Sequence, residues 1–74
     1  MNTSKIDSAA IGTRLRELRG KKTLEVVSFD TGISRSTLNM YELGLRVPRD
    51  DIKIRLATYY NTTVDAIFFS NACH

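Results

Sequence analysis

Residues 32–44 read GISRSTLNMYELG, and the order of polar and apolar side chains in this stretch decides the fold. Ser34 is an N-cap, because its hydroxyl can accept a hydrogen bond from a free N–H of the first helical turn. The helix it opens is expected over Arg35 to Leu43, with Gly44 ending it. On that helix Leu38 and Tyr41 share the inward side with Ile33. Arg35, Ser36, Asn39 and Met40 share the outward, N-terminal face. Arg, Ser, Thr and Asn are side chains that hydrogen-bond base edges and phosphates in a major groove. A solvated helix start with good capping chemistry has the same composition, so the spacing alone leaves both meanings open.

Outward from this stretch the apolar spacing stays helical, and only one proline, Pro48, interrupts it. Thr23 caps a short helix over Leu24 to Thr31. Gly32 ends that helix with a residue that can take positive φ, and Ile33 pins the turn into the core. Two short helices joined by a tight Gly-Ile-Ser turn form a helix-turn-helix, whose second helix can point its N-terminal end at a groove or a phosphate. Before it, residues 8–19 place Ile11, Leu15 and Leu18 on one face, with Arg14, Arg16, Glu17 and Arg19 around them and Gly20 at the end. After it, Arg49 or Asp50 starts a fourth helix that runs through Ile54, Leu56, Ala57 and Tyr60 to Asn61. Its acidic pair Asp50-Asp51 suits the positive end of the helix dipole. Thr63 caps a fifth helix from Val64 to about Phe69. The expected fold is therefore all-α, with five helices joined by short connections. A flexible N-terminus (1–8) precedes one domain (9–69), and a frayed tail (70–74) follows it.

The chain has 74 residues, which is one domain's worth. With 42% hydrophobic and 26% charged residues, it has a globular and not a disordered composition. A formal net charge of +3 suits a polyanionic partner but is also ordinary for a small protein. A core this small gains from oligomerisation. Phe68 and Phe69 are adjacent and point about 100° apart on a helix, so one is expected in the core and the other at a partner surface. The lone cysteine, Cys73, cannot form an internal disulfide. No apolar run approaches the ~18 residues of a membrane span, and the N-terminus lacks a signal-peptide core. A cytoplasmic protein is expected. Catalysis is not: the single histidine is His74, there is no glycine-rich phosphate loop, and no nucleophile has a base in reach. Cys73 and His74 alone do not make a metal site, so neither metal nor cofactor is expected.

The segments IGTRLRELR (11–19), TLEVVSFDTGISRSTLNMYELG (23–44), RVPR (46–49) and RLATYYNTTVDAIF (55–68) together resemble the lambda-repressor-like helix-turn-helix family, also called the Cro or Xre type. They occur in the family's order and nearly at its spacing, over residues 9–69. The resemblance implies a compact five-helix domain that binds double-stranded operator DNA as a two-fold homodimer, in a prokaryotic or phage setting. It implies base contact by Arg35, Ser36, Asn39 and Met40. Ser34 and Thr37 would lie near the backbone with Thr23 and Lys22, and Arg46 would meet a phosphate. It also pairs Glu42 with an arginine of the first helix, for which Arg19 is the best placed. Dimerisation would use the last helix, through Val64, Ile67, Phe68 and Phe69. The chain departs from the family pattern in a short link at Gly20-Lys21-Lys22 and in Leu24 where a glutamine is common. Val26, Phe29, Met40, Leu43 and Leu45 stand where the family is polar. A second expectation follows from them: a protein-interaction module on the same fold, such as an antitoxin or anti-repressor, with a protein partner on these apolar residues.

Overall fold

A computed structural model describes residues 7–69. Four α-helices and one π-helical turn follow in order: α1 (Ser8–Arg19), α2 (Leu24–Thr31), α3 (Arg35–Glu42), α4 (Asp50–Tyr59) and α5 (Asp65–Phe69, the π-helical turn). Among the described residues there is no strand, so the all-α expectation holds.

Local chemistry explains most of the boundaries. Asp7 caps α1 by accepting from the Ala10 N–H at 3.1 Å. Thr23 accepts from the Val26 N–H at 3.2 Å and Ser34 from the Thr37 N–H at 3.2 Å, which fixes the starts of α2 and α3. Thr63 accepts from the Ala66 N–H at 3.0 Å at the entry to α5. Helix α3 ends one residue earlier than its pattern predicts, because Gly44 takes φ 77° and closes a Schellman motif. In it the Leu45 N–H donates to the Met40 carbonyl at 2.9 Å and the Gly44 N–H to the Tyr41 carbonyl at 3.1 Å. Asn61, at φ 57°, ends α4 the same way, with Thr62 N–H on the Ala57 carbonyl at 2.9 Å.

The helices enclose one core of Ile11, Leu15, Val27, Ile33, Leu38, Tyr41, Leu56, Ala57, Ile67 and Phe68. The main packing is α1 on α3 and α2 on α3, with α5 closing over α1. α1 and α3 approach closely at Gly12, where a Cβ would overlap the Glu42 carbonyl oxygen and lie 2.8 Å from that of Tyr41. Leu18, expected beside Ile11 and Leu15, is instead 40% exposed at the end of α1.

The last helix requires a correction. Ile67 and Phe68, both expected at a dimer surface, are 1% and 5% exposed. A domain this small has few large apolar side chains, and the intramolecular core takes both. The Arg14 guanidinium donates to the Ile67 carbonyl at 2.6 Å and fastens α5 to α1. Phe69 is 55% exposed, the split expected for adjacent phenylalanines, and Val64 packs half-buried at the edge of the core. The tail after residue 69, with Cys73 and His74, lies outside the described residues, as do residues 1–6.

Candidate nucleic-acid interface

The site is built on α3. Leu38 and Tyr41 anchor the helix to the core. That leaves Ser34, Arg35, Ser36 and Asn39 exposed on its outer, N-terminal side, with Thr37 and Met40 partly covered. The turn before it is closed by local hydrogen bonds. Gly32 takes φ 78°. The Thr31 hydroxyl donates to the Val27 carbonyl at 2.7 Å and accepts from the Ile33 N–H at 3.2 Å, so α2 and α3 are held at one angle. Ser34 also donates to the Thr37 hydroxyl at 2.8 Å and lies 3.5 Å from that of Ser36. Three hydroxyls are thus gathered at a helix N-terminus, where free N–H groups and the dipole favour an anion.

The flanking groups lie on the elements around α3. Lys22 and Thr23 are exposed at the start of α2, and Arg46 is exposed in the loop after α3. Lys22 is not a free cation. Its ammonium donates to the Tyr59 hydroxyl at 3.1 Å and sits 4.7 Å from that ring's centre, while the Tyr59 hydroxyl donates to Asp30 at 2.6 Å. The basic residues of α1 and of its link to α2 divide into two groups. Arg14, Arg19 and Lys22 are engaged within the domain, and Arg16 and Lys21 are exposed.

A family model described as a helix-turn-helix domain matches residues 10–67. The chain belongs to that helix-turn-helix family. No curated protein and no solved structure matches it.

As a helix-turn-helix domain, the protein stands among DNA-binding regulators. Arg19 of α1 grips Glu42 at the end of α3, with Nε to Oε2 at 2.7 Å and Nη2 to Oε1 at 2.9 Å. The apolar residues at polar positions are exposed on this helix-turn-helix domain: Phe29 by 88%, Leu45 by 70%, and Val26 and Leu43 by about half. One neighbour of the site escaped the sequence reading. Glu25, in the first turn of α2, lies 3.6 Å from the Nε of Arg35. In the sequence it is an ordinary first-turn acid, and only the packing of α2 on α3 brings it to Arg35. Among the described residues, no helix is long and apolar enough to cross a membrane.

Proposed function

We propose that this protein is a sequence-specific, repressor-like transcriptional regulator of the cytoplasm that binds a two-fold operator as a homodimer. In this reading α3 enters the major groove. Arg35, Ser36 and Asn39 hydrogen-bond base edges, and Met40 offers an apolar contact such as a thymine methyl accepts. Ser34, Thr37, Thr23, Lys22 and Arg46 meet phosphates and set the register. The pairing surface is formed by Phe69 and the uncovered part of Val64, now that Ile67 and Phe68 belong to the core. The observation that carries the reading is the division of α3, with an apolar side locked into the core and an outer N-terminal side of exposed hydrogen-bonding residues. Selection of binding sites from random duplex DNA tests it. The expected result is an inverted repeat with half-sites about one helical turn apart. Failure to enrich any sequence would contradict it.

A second reading rests on Phe29 and Leu45, the most exposed large apolar side chains of the described residues. Apolar surface of this kind fits a protein-interaction module, such as an antitoxin or anti-repressor, that binds a partner through it. Salt separates the two. Phosphate contacts weaken steeply as salt rises, whereas an apolar interface holds.

A further inference from the structure

We propose that Glu25 aims Arg35 at guanine and keeps it off the phosphate backbone, so that an acidic residue of α2 sets the specificity of α3. The inference rests on the DNA-binding reading above. Glu25 is the acidic partner that joins the two helices of the motif, with its Oε2 3.6 Å from the Nε of Arg35. Both side chains are largely exposed, 69% and 64%, so the pair stands at the surface where DNA would arrive.

The geometry of the contact makes the pair selective. Glu25 meets the guanidinium on its Nε side. A contact on that side keeps the two terminal nitrogens available as a pair of donors. Guanine presents two adjacent acceptors, N7 and O6, in the major groove, and it is the base that such a fork fits. A phosphate is also a good partner for a free guanidinium. A phosphate held on that fork, however, would set a second negative charge near the Glu25 carboxylate. Guanine carries no charge and leaves the pair intact. The backbone that carries Glu25 is set independently, because the Thr23 cap closes the first turn of α2. It is a positioning residue and reads no base itself.

The test compares four full-length proteins: wild type, Glu25→Gln, Arg35→Ala and the double variant. Each is taken through binding-site selection and then titrated on the selected duplex and on a scrambled duplex of the same composition. Wild type is expected to select guanine at one position of each half-site, and Arg35→Ala to lose that preference. Glu25→Gln should bind the scrambled duplex more tightly, with a salt slope steeper by about one phosphate contact per subunit. Its guanine preference should fall by about two- to tenfold, the scale of exposed charge pairs taken over two subunits. The double variant should match Arg35→Ala in discrimination. If Glu25→Gln tightens both duplexes by the same factor and keeps its guanine preference, Glu25 is only a first-turn acid and the proposal fails, while the DNA-binding reading stands. If Arg35→Ala keeps the wild-type profile, the aiming of Arg35 is overturned. If wild type selects no sequence, both readings fall together.

Discussion

Arg19 and Glu42 form a forked ion pair between the last turn of α1 and the last residue of α3, at 2.7 and 2.9 Å. The side chains are only 18% and 8% exposed. The same guanidinium donates through Nη1 to the Lys22 carbonyl at 2.7 Å, so one residue ties together α1, the link to α2 and α3. Removing one partner strands a largely buried charge. Glu42→Ala is expected to lower stability by about 2–4 kcal/mol. Arg19→Lys is also expected to lower it, because an ammonium cannot reproduce the fork. Urea unfolding followed by circular dichroism measures both, and a Glu42→Ala loss below about 0.5 kcal/mol would show that the pair is idle.

Gly12→Ala tests the contact between α1 and α3. On an open helix face this change would stabilise. Here the new methyl meets the Glu42 and Tyr41 carbonyl oxygens, which are backbone and cannot swing aside. The expected loss is about 1–3 kcal/mol. A melting temperature equal to or above wild type would mean that the helices can separate at no cost.

Lys53 is a buried cation, with a side chain 11% exposed. Its ammonium lies 5.0 Å from the ring centre of Phe69, 5.8 Å from that of Phe68, and 3.6 Å from Asp50. Asp50 itself is fully open to solvent, so the aromatic faces and the packed stem dominate. Lys53→Ala is expected to cost about 1–3 kcal/mol and Asp50→Ala less than about 0.5 kcal/mol, by thermal unfolding. Equal losses would assign the effect to the ion pair instead.

Burial pushes the Tyr60 hydroxyl up to about 12, with further contributions from the Glu42 carboxylate and Tyr59 that outweigh the pull of Arg19. The folded state therefore favours the neutral phenol. In the unfolded chain the group ionises near its ordinary 10.0. The stability it contributes is complete below that pH and is lost as pH rises towards about 12. Wild type should therefore lose more stability than Tyr60→Phe between about pH 9 and about pH 11. Parallel slopes for the two proteins in denaturant titrations would contradict this.

The helices were legible in the sequence because their ends are local chemistry. Thr23, Ser34 and Thr63 accept from N–H groups three residues ahead, and Gly32 and Gly44 take the positive φ that a turn requires. The outer face of α3 was legible for a similar reason, since Leu38 and Tyr41 fix which side faces inward. Contacts between elements were not legible. Gly12 reads as a weak helix residue, yet the approach of α3 makes it essential. Lys53 reads as a solvated charge until α5 lays two rings beside it. Ile67 and Phe68 form an apolar pair whose use, core or partner, depends on where α5 folds. Glu25 differs from any first-turn acid only through the angle between α2 and α3.

The central claim is that the outer face of α3 and its basic flanks bind duplex DNA. Fluorescence anisotropy of the full chain with a random-sequence duplex, repeated across a salt series, tests it most directly. Binding is expected at low salt and should weaken linearly on a log–log plot, with the steep negative slope of several phosphate contacts. Absence of binding at low salt, or affinity indifferent to salt, would contradict it and turn attention to the apolar surface around Phe29 and Leu45.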